Sequence, residues 1–99
     1  MIVVSGVIEI ESADLDRALE AGREAAAATR TEPGCRAYAF YQDIETPARV
    51  RVFEEWDDAA ALERHFEMPH FQRFREVLGG IRVLSREIKR YEVSDVGEV

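Results

Sequence analysis

The chain has one cysteine, one tryptophan and two histidines in 99 residues, and no apolar run approaches the ~18 residues that a membrane span needs. The lone Cys35 excludes an intrachain disulfide and fits a reducing compartment. Met1-Ile2-Val3-Val4 lacks the basic flank and small-residue cleavage pattern of a secretory leader, so the expected location is cytoplasmic. Basic residues are also scarce. Thirteen Lys and Arg stand against 20 Asp and Glu, a formal charge of −7. Nucleic acids and anionic membranes reward a basic face, so neither is expected as a partner. There is no internal repeat, phosphate loop, Ser-His-Asp signature or dinucleotide fingerprint, and Gly79-Gly80 is too short a glycine run to argue from.

What is present is ordinary for one globular domain over residues 1–99, with 46% hydrophobic and 33% charged residues and an acidic tail at 92–99. Ile2 to Ile10 is rich in Ile and Val and reads as a strand covered on both faces in its first half. Ser12 or Asp14 can cap a helix whose inner stripe, Leu15, Ala18, Leu19, Gly22, Ala25, Ala26 and Thr29, is narrow and small enough for close approach to a sheet. Pro33 and Gly34 stop that helix. Cys35 to Gln42 alternates as a second strand, with Cys35, Ala37, Ala39 and Tyr41 opposite Arg36, Tyr38, Phe40 and Gln42. A short turn leads to a third strand, Arg49 to Trp56, which must pair antiparallel with the second. Asp57 is the expected cap of a helix with Ala59, Leu62 and Phe66 on its buried side. Pro69 breaks that helix at Met68 and restarts it, with Phe71, Phe74 and Leu78 on one side, until Gly79-Gly80. Ile81 to Tyr91 is the fourth strand.

The order β-α-β-β-α-β gives an α+β, ferredoxin-like fold: a four-stranded antiparallel sheet with both helices on one face. The other face carries apolar residues that two helices cannot reach. A second copy packed sheet to sheet would bury them, so the expected state is a homodimer.

The stretch from Glu54 to Phe74 holds the tryptophan, both histidines and three of the five phenylalanines, and is where a site is expected. Trp56 and Glu54 point to the same face. The indole serves either as filler between helix and sheet or as a wall that stacks on a planar ligand. His65 and His70 straddle the helix break without the spacing of a helical metal pair, and no further ligand completes a set, so no metal is expected. His70 is either a cap or a general acid/base, its ordinary pKa near ~6.5 suiting proton transfer at neutral pH. Cys35 reads as a small buried hydrophobe. Arg82, Arg86 and Arg90 share a face of the fourth strand with Leu84 and Ile88, and read as solvated or paired, with an anion-binding stripe as the lesser reading.

Taken together, Glu32-Pro-Gly-Cys35, Tyr38, Glu54-Glu-Trp56, Asp58-Ala-Ala-Ala-Leu62, His65 and Pro69-His70-Phe71 resemble the antibiotic biosynthesis monooxygenase family of dimeric α+β barrels over nearly the whole chain. The resemblance implies a pocket between sheet and helices and oxygenation of an aromatic polyketide or quinol by dioxygen without metal, flavin or other cofactor. On that basis Trp56, Tyr38, Phe40, Glu54, Phe71 and Phe74 are the expected substrate-binding residues, and His70 or His65 moves the proton. Two alternatives share the fold: an isomerase of a compact polar substrate, favoured by acid and Arg side chains in the pocket, and a non-enzymatic binding or assembly module, favoured by a shallow or filled cavity around Trp56 with no proton-transfer group facing it. The haem-degrading branch of the fold fits poorly, since Arg75 stands near its iron-binding histidine and Gly6 where its first strand carries an asparagine. Light scattering at micromolar concentration should return twice the 11.3 kDa chain mass; a monomeric mass would overturn the dimer.

Overall fold

A computed structural model describes residues 1–99. The strands are β1 (Ile2–Ile10), β2 (Cys35–Gln42), β3 (Arg49–Trp56) and β4 (Val83–Glu92), and the helices are α1 (Leu15–Thr29), α2 (Ala59–Phe66) and α3 (Pro69–Gly79). The sheet runs β2-β3-β1-β4 with every neighbour antiparallel, and the second helical segment is split in two at the expected break. Met68 is extended and Pro69 occupies the first turn of α3, where its missing N–H leaves no helical bond unmade. No helix is long and apolar enough to cross a membrane.

The registers set four rows of side chains across the helix-facing side of the sheet. They are Cys35-Trp56-Ile2-Glu92, Tyr38-Glu54-Val4-Arg90, Phe40-Val52-Gly6-Ile88 and Gln42-Val50-Ile8-Arg86, read from β2 to β4. Strict alternation would have put Cys35 on the face opposite Tyr38. A register shift between Cys35 and Ala37 turns it inward beside the core instead. Helix α1 buries Ala18, Gly22, Ala25, Ala26 and Thr29, the small stripe that its spacing predicted. Apolar burial forms two clusters, one around Ile2, Val4, Tyr38, Val52, Trp56 and Leu62, the other around Ile8, Ile10, Val50 and Ile81; Phe40 and Ile88 pack against both.

Four local expectations are corrected. Asp58, and not Asp57, caps α2 by accepting from Ala61 N–H at 2.9 Å, while Asp57 pairs with Arg36. Neither Ser12 nor Asp14 caps α1 with its side chain; a 3-10 turn over Ser12–Asp14 leads into the helix, and the Asp14 carboxylate accepts from Arg82 N–H at 3.0 Å. Phe66 is 43% exposed and so is not on a buried face. Strand β4 begins at Val83, two residues later than expected, because Ile81 is taken into the second apolar cluster.

On the outer face Val3, Val7, Ala37, Ala39 and Phe53 are only half-buried, so the first strand is not covered on both sides within one chain. Helices do not reach β4 either, where Ile88 alone is as much as half-buried. The helix layer therefore stops short of one sheet edge.

Gly34 ties the α1–β2 connection to the start of α2. Its φ of +86° lies in the left-handed region, and a Cβ there would stand 2.6 Å from the Ala61 Cβ. Gly34→Ala should lower the stability measured by urea unfolding by about 1–3 kcal/mol through strain and displacement of α2. An unchanged midpoint would contradict that close approach.

Candidate active site

Strand β3 supplies the centre of the site. Glu54 and Trp56 are two residues apart on one strand and so share its inner face, where Trp56 Nε1–H donates to Glu54 Oε1 at 2.9 Å. The indole is 0% exposed, and the His65 ring lies against it with centroids 4.9 Å apart. His65 is in turn enclosed by Phe71 at 4.8 Å and Tyr38 at 5.5 Å. Trp56 is thus filler between helix and sheet, with a polar handle that reaches Glu54.

Behind this layer the two histidines converge on Glu32. His65 Nδ1–H and His70 Nε2–H both donate to Glu32 Oε2, at 2.7 and 2.6 Å. Burial holds His65 below its ordinary pKa, although Glu32 opposes the shift. Glu32 is the functional-type residue that sequence reasoning left without a role. The available signal was an acidic residue before the Pro33-Gly34 turn, facing two histidines that lacked a partner. Glu32, His65 and His70 bring one donor atom each within 4.8 Å of one another, so the pair does have a third possible ligand. Both ring nitrogens, however, aim at the carboxylate oxygen at hydrogen-bond distance. A cation would have to displace two short charge-assisted bonds.

A cavity of about 430 Å³ lies between the sheet and α2 and α3, opening toward β4. Of the residues expected to form the site, Tyr38, Phe40, Glu54, Phe71 and Phe74 line it, whereas Trp56, His65 and His70 do not. Sequence reasoning missed the wall made by Val4, Ile8, Val52, Leu62 and Leu78, the exposed Phe66 at its border, and Arg75, Arg86 and Ile88. The β4 residues were legible as one face but were read as solvated. A second concavity of similar size on the outer face is polar, lined by Ser5, Arg49, Arg51, Lys89 and Tyr91 among others.

Glu54 is the ionisable group best placed to act in the inner cavity. Burial pushes its carboxyl up to about 7 from 4.5; the Trp56 N–H pulls the other way, and the Glu32 charge adds a small push upward. Tyr38, its row neighbour, is driven well above the ordinary phenol range by burial and by Glu54. The Cys35 thiol is also raised, chiefly by burial, which suits the inert small hydrophobe expected from the sequence.

The sequence profile of the family described as antibiotic biosynthesis monooxygenase matches residues 1–77. The chain belongs to that family. Among proteins of known sequence it is similar to YcnE of Bacillus subtilis, named as a candidate monooxygenase, at 28% identity over 97 residues, covering 96% of this chain and 100% of that one. It is also similar to the uncharacterised protein sll1783 of Synechocystis, at 32% identity over 94 residues. That match covers 95% of this chain but only 64% of the Synechocystis protein. Among solved structures, a candidate antibiotic biosynthesis monooxygenase from Deinococcus radiodurans superposes with a TM-score of 0.93 over 100% of this chain and 98% of that chain. At 23% identity that likeness concerns the fold. Strand β4, with Arg86 and Ile88, lies beyond the residues that the family profile matches.

The raised Glu54 carboxyl has a stability consequence with a definite sign. Between pH 4.5 and about 7 the native carboxyl holds a proton that the unfolded chain has lost, so stability falls as pH rises through that window and levels off above it. Glu54→Gln keeps an acceptor for the indole and removes the charge. Thermal and urea unfolding should find it more stable than the parent at pH 8 by roughly 2–3 kcal/mol, with the gap closing toward pH 4. A gap independent of pH, or a less stable variant at pH 8, would contradict the burial argument.

Proposed function

We propose that the protein is a cofactor-independent monooxygenase that oxidises a planar, electron-rich aromatic such as a quinol or anthrone, with Glu54 as the proton acceptor. The observation that carries this reading is a buried carboxyl, poised near neutral pH, facing a cavity walled by aromatic rings. A base is most effective when its pKa lies near the working pH. Membership of the monooxygenase family supports the reaction class.

The steps balance without a metal or flavin, because the substrate is itself the reductant. For an anthrone-type carbon, Glu54 takes a C–H proton and the resulting carbanion passes one electron to dioxygen. The two radicals combine to form a C–O bond, giving a peroxide that takes up a proton. Loss of the second C–H proton and cleavage of the O–O bond release water and leave a ketone, so one O₂ is consumed per product. Tyr38, Phe40, Phe71 and Phe74 hold the ring, and their apolar surfaces keep water from the reactive anion. Trp56 orients the carboxylate from behind. His65 and His70 hold Glu32 and the aromatic layer in position, so proton transfer is assigned to Glu54 in place of either histidine.

The same reading includes a two-fold homodimer through the outer sheet face, supported by the half-exposed Val3, Val7, Ala37, Ala39 and Phe53. One alternative has a specific observation in its favour. Glu54 together with Arg75 and Arg86 is the acid-and-arginine lining expected of an enzyme that isomerises a small anionic keto compound by proton transfer. A non-enzymatic module would have the space around Trp56 filled and no proton-transfer group; the indole is indeed buried outside the cavity, and Glu54 on the cavity wall is what favours an enzyme.

Oxygen-electrode assays with a panel of hydroquinones and anthrones test the reading. Uptake should match product oxygen one to one, and kcat/KM should rise with pH to a plateau through an apparent pKa of about 7. Glu54→Gln should lose at least about a hundredfold in rate, while His70→Ala keeps the pH profile. Proton exchange into substrate without oxygen uptake would favour the isomerase. Full activity in Glu54→Gln would overturn the assignment of the base.

A further inference from the structure

The inner cavity is chemically asymmetric. Glu54 lies in the row of Val4, and Arg86 in the row of Ile8, two strands away and four residues further along β1. That is about 13 Å along the strand direction and about 10 Å across it from backbone to backbone. Arg75 of α3 lines the same cavity, its guanidinium 5.9 Å from the centroid of the Phe71 ring. The chain has 20 carboxylate side chains against 13 basic ones. Of the 13 basic side chains, ion pairs engage Arg17, Arg23, Arg36 and Lys89 and leave nine without a protein carboxylate; Arg75 and Arg86 are the two of those nine that line the inner cavity. Both are exposed, and their placement on one cavity offers two guanidinium groups to the negative charge of a ligand.

We propose that the ligand of this cavity is an aromatic anion, a flat apolar body that presents its acidic hydrogen to Glu54 and carries a carboxylate or phosphate within reach of the guanidinium groups of Arg75 and Arg86. Arg stacked on an aromatic wall is held with its donors directed outward, and planar guanidinium matches the paired oxygens of either anion. The charge on the substrate would also select against neutral rings of the same shape, which the apolar wall alone accepts. This deepens the proposed function and rests on the same cavity. Arg75 lies within the family-matched residues and Arg86 beyond them.

Calorimetric titration with a hydroxynaphthoate and its methyl ester, matched in shape and different in charge, tests the proposal without turnover. The acid should bind the parent protein at least about tenfold more tightly, the margin of one charge-assisted contact. The preference should shrink as salt is added. In the double variant Arg75→Gln, Arg86→Gln it should fall to within about twofold while the ester binds as before, which also reports that the cavity is intact. Arg82→Gln, outside the cavity, should keep the full preference. A naphthyl phosphate distinguishes the two anion sources: tighter binding than the carboxylate assigns a phosphorylated ligand, weaker binding a carboxylic acid. Equal affinity for acid and ester, no binding of either at millimolar concentration, or a preference that survives the double variant would overturn the proposal. Oxygen uptake with neutral quinols would stand apart from any of these results, so the two readings fail separately.

Discussion

Two carboxylates are buried in this domain, Glu32 and Glu54, and the site follows from how differently each is accommodated. Removing a carboxylate from water costs several kcal/mol unless donors replace the solvent. Glu32 receives two ring N–H groups on one oxygen. Glu54 receives one indole N–H and faces a cavity. With a single donor the burial penalty wins, and the carboxyl retains its proton up to about pH 7. Trp56 links the two, since the ring that donates to Glu54 also stacks on His65, which holds Glu32.

The scaffold around this pair is made by local backbone constraints. Gly34 allows the α1–β2 connection to approach α2, which brings Glu32 beneath the histidines. The Met68-Pro69 break lets α3 set off in a new direction, so that His70 reaches Glu32 and Phe71 and Phe74 face the cavity. Because the helices leave β4 uncovered, the cavity opens at that edge and its mouth acquires the side chains of Arg75 and Arg86.

The fold was largely legible because periodicity decides it. Strands β1 and β3 alternate in burial, the helix stripes are small or aromatic, and Pro33, Gly34 and Pro69 mark the breaks. Errors fell where one residue shifts a pattern: the bulge that turns Cys35 inward, and the choice between Asp57 and Asp58 as cap, which depends on backbone direction at the end of β3. The aromatic residues that line the cavity were legible from the second strand and the restarted helix. The division of labour among acids and histidines was not, because it depends on contacts between residues more than thirty positions apart, such as Glu32 with His65 and His70. In sequence a histidine is the natural proton carrier at neutral pH. Here burial moves His65 down and Glu54 up, which is why the proposed proton acceptor is Glu54.

The most direct test of this account is an NMR titration of the Glu54 side-chain carboxyl carbon in carbon-13-labelled protein, assigned by comparison with Glu54→Gln. The resonance should titrate with a midpoint near pH 7, well above that of the exposed glutamates. A midpoint in the ordinary carboxylate range, near ~4.3, would mean that Glu54 is already ionised without substrate, and would remove the physical basis for treating it as a base tuned by burial.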